Sequence, residues 1–309
     1  MQAIVSNSYI KNSLLIMVGV AAAFLLHINA TTEPVIQITA VIFIACLLGN
    51  TLKRNLTRNM RSSIKQAIKR KEFLPYYQPV MDASTHCVVD MEVLLRWKKS
   101  QTIVPPSEFI PFLEQSKLLH TVTLQLIEQV LQDIDCKQEA SVSINLPPVL
   151  LEDVSFTSQL IEKLKQEQLP PKWLNLEITE KQPIADLSIA KKHMESLKAV
   201  GVGFKLDDAG TGYGGFSYLQ ELPFDVIKID RLFVANIAKN KANRCVIDEI
   251  IRFGTNIGMT LIAEGVETAE QSAYLLSRHV HQQQGFLFAK PMPYEQLTDW
   301  LNQYKHSSC

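Results

Sequence analysis

From Phe73 onward, short runs rich in β-branched and aromatic residues alternate with longer amphipathic stretches, a pattern that commits the chain to a sheet covered by helices. The runs are Leu74–Met81, Cys87–Trp97, Ser141–Leu146, Trp173–Thr179, Val202–Asp207, Asp225–Asp230, Thr260–Glu264 and Gly285–Phe288. Amphipathic stretches such as His120–Ile134, Ile189–Val200, Cys245–Ile257 and Ala269–Arg278 lie between them. Eight strands with helical crossovers in roughly 235 residues predict an α/β fold, a modified TIM (β/α)8 barrel. So few residues separate the first two runs that they are expected to pair antiparallel, which makes the barrel irregular.

Successive residues of a strand point to opposite faces, so each run can be sorted by period two. Gly203, Lys205 and Asp207 share one face, and Val202, Phe204 and Leu206 the other. Asp90, Glu92, Leu94 and Arg96 oppose Met91, Val93, Leu95 and Trp97. Ser143 and Asn145 oppose Ile144 and Leu146; Asn175, Glu177 and Thr179 oppose Leu174, Leu176 and Ile178. Lys228 and Asp230 oppose Ile227 and Ile229, and Glu264 falls on the face of Ile262. Each run thus offers helices an apolar side and aims polar groups inward. A barrel interior is ordinarily filled by apolar side chains, so inward polar groups near strand ends mark the mouth.

Glu92, Glu177, Asp207 and Glu264, with the amide oxygen of Asn145, form an oxygen-rich set without His or Cys. Such a set suits Mg2+ or Mn2+ better than Zn2+. With Asp208 adjacent, the negative charge is sufficient for two divalent cations, which together can bridge a water and clamp a phosphoryl group. Lys228 then sits among anions, placed to orient the water or to stabilise charge on phosphorus. Each residue alone also fits a strand-end ion pair, and the acidic pair before the glycine loop alone fits turn chemistry. Their joint occurrence argues for a site.

The N-terminal part is different in kind. Ser13–Ala30 carries no formal charge apart from a protonated His27, and Val35–Leu52 carries none. Each approaches the roughly 18 to 20 residues that cross a bilayer. Only Thr31–Pro34 separates them, so residues 1–52 are expected to form a transmembrane helical hairpin with a very short external loop. Two buried core helices, or a signal peptide ending near Ala30, are the alternatives. Lys53, Arg54, Arg58, Arg61, Lys65, Lys69, Arg70 and Lys71 follow the second run, against Lys11 before the first. This asymmetry predicts a basic juxtamembrane linker helix at 53–71 and a cytoplasmic domain at 72–309; a merely solvated linker helix fits the same residues. Formal net charge is zero, so no global field favours a nucleic acid polymer. Cys46, Cys87, Cys136, Cys245 and Cys309 are scattered without CxxC spacing, which indicates neither a zinc knuckle nor a disulfide framework.

From about Lys69 to Tyr304 the chain resembles the EAL family of cyclic di-GMP phosphodiesterases. The motifs that carry the resemblance occur in order: FLPYYQPV with Gln78, MEVLLRW with Glu92, Leu94 and Arg96, FIPFLE from Phe109, SINL with Asn145, and LEITE with Glu177 and Glu180. KLDDAGTGY follows with Asp207 and Asp208, VIKIDRLFV with Lys228 and Asp230, IAEGVET with Glu264 and Glu267, and QGFLFAKPMP with Gln284. The resemblance implies hydrolysis of one phosphodiester bond of cyclic di-GMP to linear pGpG, with two Mg2+ or Mn2+ ions. It implies metal ligation by Glu92, Asn145, Glu177, Asp207, Asp208 and Glu264, and catalytic roles for Lys228 and Glu264. Gln78, Leu94, Arg96 and Asp230 are expected at the nucleotide, and Glu180, Glu267 and Gln284 are expected to brace the loop after Asp208. The family often dimerises beside that loop, which makes a second copy of the chain a candidate partner. Together with the apolar hairpin, the resemblance implies a place at the bacterial inner membrane.

The chain departs from the family pattern at a few positions. Val93 stands where alanine is usual, on the face turned to the helices. Ala209 replaces a phenylalanine, and Gly214 and Gly215 replace serines, which is expected to loosen the loop. His279 stands where a glycine is usual before the last strand. A catalytically weak receptor that signals by binding the nucleotide is the second reading; receptors of this kind usually lose metal ligands, and this chain keeps them. Another magnesium-dependent TIM-barrel enzyme, such as an enolate former, would use the same acids but gives no reason for the Gln78 and Arg96 motifs.

Overall fold

The structure, a computed structural model, describes residues 34–134, 140–167, 169–210, 215–237 and 241–308. Two compact units divide the chain, Met1–Ser63 and Ile64–Cys309. The first apolar run, Ser13–Ala30, lies outside the described residues. The second run and the basic stretch, expected as two elements, are one continuous helix, α1 (Pro34–Lys69). Pro34 starts it at the position where a missing N–H costs nothing, and no further proline interrupts the helix. Gly49 and Asn50 are weak helix formers and do not break it. Among the described residues no helix is long and apolar enough to cross a membrane, and Ile42, Phe43 and Leu47 are exposed. The end of α1 buries Ile64 and Ala67 within the second unit, which begins at Ile64.

The second unit is a closed barrel of eight strands. β1 (Phe73–Asp82) and β2 (Cys87–Lys99) form the expected antiparallel hairpin, with Gln78 opposite Glu92. A short strand that the alternation pattern did not reveal, β3 (Thr102–Val104), extends the far end of β2 antiparallel. From β2 the sheet runs parallel through β4 (Ser141–Asn145), β5 (Leu174–Thr179), β6 (Gly203–Ala209), β7 (Val226–Ile229), β8 (Thr260–Ala263) and β9 (Gln282–Gln283). β9 then pairs antiparallel with β1 and closes the ring. The last strand therefore lies at Gln282–Gln283 and not at the expected Gly285–Phe288. Residues 285–288 turn instead, with Phe288 N and Ala289 N donating to Gly285 O. At Gly285 the chain passes so close to Val266 that a Cβ would sit 2.1 Å from its carbonyl oxygen, a contact only glycine permits.

Helices cover the outer face: α2 (Pro106–Glu114), α3 (Leu118–Asp133), α4 (Pro148–Leu151), α5 (Val154–Glu167), α6 (Leu187–Lys198), α7 (Gly215–Glu221), α8 (Arg231–Val234), α9 (Lys241–Asn256), α10 (Ala269–Ser277) and α11 (Tyr294–Ser308). Their ends are set by local chemistry: Asp186 accepts from Ser188 N and Ile189 N to start α6, and Thr268 with Gln271 forms a capping box for α10. The outward strand residues Val93, Ile144, Leu176, Phe204 and Ile227 are fully buried against them. Each such side chain contributes about 1.5–3 kcal/mol of hydrophobic stabilisation.

The interior is polar well below the mouth. Lys205 Nζ lies 2.6 Å from Asp90 Oδ2, Ser143 Oγ donates to the same oxygen at 2.6 Å, and Ser141 Oγ donates to Asp90 Oδ1. Burial alone would push the Asp90 carboxyl up, but the Lys205 ammonium and the two hydroxyls outweigh it and hold the group below the usual range. The inward faces sorted by period two are therefore inward in the structure, and their lower layer is a satisfied ion pair that plugs the barrel.

Candidate active site

Six strands deliver the site by their register. Asn145 at the end of β4 pairs with Glu177 of β5, and Thr179 at the end of β5 pairs with Asp207 of β6. Glu92 of β2 stands beside Ser143, one inward step below Asn145. Lys228 comes from β7, and Glu264 follows the last residue of β8. The parallel sheet thus gathers side chains that lie far apart in the chain onto one end of the barrel.

At the centre is Lys228, 1% exposed, with its Nζ 2.5 Å from Glu177 Oε2, 2.6 Å from Glu264 Oε1, 3.3 Å from Asp207 Oδ1 and 3.4 Å from Glu92 Oε2. Burial would lower the ammonium's pKa; Asp207, Glu177, Glu264 and Glu92 overcome that and hold it well above the usual lysine range. One positive charge cannot balance four carboxylates, and the remainder shows in their protonation. Burial pushes Glu177 up to about 8, against the opposing pull of Lys228 and with further repulsion from Glu92 and Asp207. Glu264 is likewise raised well above the carboxylate range by burial.

Glu92 is held at both oxygens, by Asn145 Nδ2 at 3.1 Å and Gln284 Nε2 at 2.7 Å. Asp208 sits in left-handed backbone with φ 57°. Thr179 Oγ1 donates to its Oδ2 at 3.3 Å, and Lys181 Nζ lies 2.8 Å from its Oδ1. Burial, a hydrogen bond to Asp230 and the nearby Asp207 carry Asp208 up to about 6. Asp230 goes the other way: burial is outweighed by the bonds from Asp208, Leu232 N and Lys181.

The residues fit divalent cations. Oxygens of Asp207, Asp208 and Glu264 lie within 4.8 Å of one another. Among the described residues Glu177 Oε1 and Asp207 Oδ1 are buried without a hydrogen-bond donor, though Asp207 Oδ1 lies 3.3 Å from Lys228 Nζ. Orphaned buried carboxylate oxygens are costly and are satisfied when a hard cation takes them as ligands.

Two cavities meet at these acids, and both reach Leu94 and Asp207. The larger, ≈ 500 Å³, is lined by Arg96, Asn145, Glu177 and Asp208 with an apolar wall from α2 and α3. The smaller, ≈ 300 Å³, is lined by Gln78, Glu92, Arg231, Glu264, Gln284 and Phe286. Arg96 stacks over the Tyr76 ring at 5.6 Å, which sets the plane of its guanidinium. Gln78 donates to Ala289 O at 3.1 Å.

Most of the residues expected at the site from the sequence are brought together: the six oxygen donors, Lys228, Gln78, Leu94 and Arg96. Asp230, expected at the nucleotide, is 2% exposed and lines neither cavity; it caps α8 through Leu232 N and faces Asp208 and Lys181. Gln284, expected to brace the loop, donates to Glu92 Oε2. Glu180 does contact the start of that loop, accepting from Gly210 N at 3.0 Å. Glu267 lines the smaller cavity, and residues 211–214, which it was expected to brace, lie outside the described residues, as does the Gly214 departure. Lys181, Arg231 and Phe286 were not anticipated; the only signal for Lys181 was a basic residue directly after Glu180.

A family profile described as EAL domain matches residues 61–291. The chain is 34% identical over 249 residues to the cyclic di-GMP phosphodiesterase PdeL of Escherichia coli (strain K12), covering 77% of this chain and 68% of that protein. It is 33% identical over 250 residues to an uncharacterized signaling protein of Caulobacter vibrioides, covering 80% of this chain and 30% of that one. A solved structure of the PaMucR phosphodiesterase in complex with c-di-GMP superposes with a TM-score of 0.70 at 30% identity, over 77% of this chain and 99% of that chain.

Proposed function

Because the chain belongs to the EAL domain family, we propose that it hydrolyses one phosphodiester bond of cyclic di-GMP to linear pGpG with the help of divalent cations. The observation that carries this reading is the convergence of Glu92, Glu177, Asp207 and Glu264 on the buried Lys228, with orphaned carboxylate oxygens, where two cavities meet. A cyclic dinucleotide has two base-bearing halves joined by phosphates. One half can occupy each cavity while a phosphate lies over the acids.

Glu92, Asn145, Glu177, Asp207, Asp208 and Glu264 would hold the cations, Mg2+ or Mn2+. When bound, such ions stabilise charge on phosphoryl oxygens and acidify water. The chain's own part is positional and electrostatic. Asn145 and Gln284 fix both oxygens of Glu92, and Lys228 ties Glu177 and Glu264 to one point. A water attacks phosphorus and gives up a proton, the bond to one ribose oxygen breaks, and that oxygen takes up a proton from solvent as it leaves. Glu264, beside Lys228 and lining the smaller cavity, would be ionised with a cation bound and is then placed to take the water's proton, and Lys228 to offset charge building on the phosphate. Arg96 and Gln78 are positioned to read the nucleotide from the two sides.

The test is turnover of cyclic di-GMP by the full chain in Mg2+, in Ca2+ and in chelator. Appearance of pGpG in Mg2+ and its loss in chelator are expected. Tight nucleotide binding without pGpG would instead favour a receptor. For location, the uncharged run Ser13–Ala30 and the basic residues Lys53–Lys71 support a place at the cytoplasmic face of the inner membrane. Recovery of the full chain in a salt-washed membrane fraction is the expected result.

A further inference from the structure

Lys181 follows Glu180 directly, just past the end of β5, and 53% of its side chain is exposed. Its ammonium nevertheless lies 2.8 Å from Asp208 Oδ1 and 3.4 Å from Asp230 Oδ2. Thr179 fastens the arrangement from below: its hydroxyl donates to Asp208 Oδ2 and accepts from Lys181 N at 3.1 Å. The acids of the mouth therefore face two ammoniums of different kind. Lys228 is sealed on the inner side at 1% exposure, whereas Lys181 reaches Asp208 from the rim on a flexible four-carbon stem.

Asp208 shares a cluster of oxygens within 4.8 Å with Asp207 and Glu264, close enough for one ion to take all three as ligands. A cation that takes Asp208 as a ligand meets the Lys181 ammonium at the same carboxylate. The two positive charges repel at that distance, and only one of them is free to leave by rotation of its side chain. We propose that Lys181 is a tethered competitor for the divalent cation at Asp208, occupying that carboxylate in the ion-free protein and swinging toward Asp230 or solvent when the ion binds, so that it sets how tightly the ion is held. This inference rests on the metal-dependent reading of the same site.

The experiment is calorimetric titration of Mg2+ into the full chain and into its Lys181→Met and Lys181→Gln variants. Both substitutions remove the charge at a half-exposed position and keep much of the stem. Losing a competing pair of this kind should tighten Mg2+ binding about two- to fivefold in both variants, the range a partly exposed ion pair supports. The gain should vanish when Asp208→Asn is present as well. A folding defect would weaken binding, so tighter binding cannot come from one. If the unaltered chain binds Mg2+ and the two variants bind it equally or more weakly, the competitor role is overturned and the metal site stands. If none of the three takes up Mg2+, the metal site fails and the inference with it.

Discussion

Lys228 sets the electrostatics of the mouth, because its single charge is shared among Glu92, Glu177, Asp207 and Glu264. Truncation to Lys228→Ala should lower turnover by about 10²–10³-fold, the usual worth of a donor aimed at developing charge. Nucleotide affinity should fall much less, and equal losses in single-turnover rate and in binding would argue against its place at the reacting phosphate. Gln284 is the other informative residue. It fixes Glu92 across 192 positions of chain. Gln284→Ala should weaken Mg2+ binding by about 10- to 100-fold, as loss of a partner that orients a ligand does. No pattern in the sequence points to that contact, since period two assigns a face and not a partner. Protonation provides a further check. Glu177 at about 8 and Asp208 at about 6 lie above their values in an unfolded chain, so the metal-free fold binds more protons than the unfolded state. Their stabilising contribution is complete below the unfolded values and is lost as pH rises through about 6 and then about 8. Thermal melts in chelator should therefore fall across that window, and Mg2+ should lift the curve most at its upper end, with protons released on binding. Melts in chelator that do not move with pH would contradict this assignment.

Among the elements, β2, β4 and β6 carry the most testable internal arrangement. Asp90 and Lys205 form a pair buried at 3% exposure each, with Ser141 and Ser143 completing the carboxylate's bonds. Asp90→Ala should destabilise the barrel by roughly 3–5 kcal/mol, because a lone buried ammonium remains. Replacing both members by apolar residues of similar size should recover most of that loss in denaturant unfolding. The turn after α10 makes the opposite prediction. His279 has φ 62°, a left-handed conformation that costs a side-chain-bearing residue about 1–2 kcal/mol, and His279→Gly should return about that much stability. These elements also show what could be read in advance. Seven of the strand runs fall within a few residues of their observed positions, since each pairs an apolar outward face with a polar inward one. β9 escaped because Gln282–Gln283 is polar on both faces, whereas the apolar run after it is a turn held by the close approach of Gly285 to Val266. Basic composition over 53–71 marks solvent exposure but does not show where Ile64 and Ala67 pack.

For the molecule as a whole, the barrel's closure brings scattered carboxylates to one end; the alternation of strands and helices predicts the barrel, and face sorting predicts which side chains point inward. Which neighbour each of these side chains meets does not follow from either, as the contacts of Asp230 and Gln284 show, because it depends on which strand ends are neighbours in space. The two cavities joined at Leu94 and Asp207 give the site its shape, and the acids beneath their junction give it its chemistry. The measurement that bears most directly on that combination is cyclic di-GMP turnover in Mg2+ by the full chain beside its Glu177→Gln variant, with the products separated. Linear pGpG should accumulate with the unaltered chain and fall to background when Glu177 can no longer serve as an anionic ligand. Equal accumulation by both proteins, or nucleotide bound but uncut by the unaltered chain, would contradict the account.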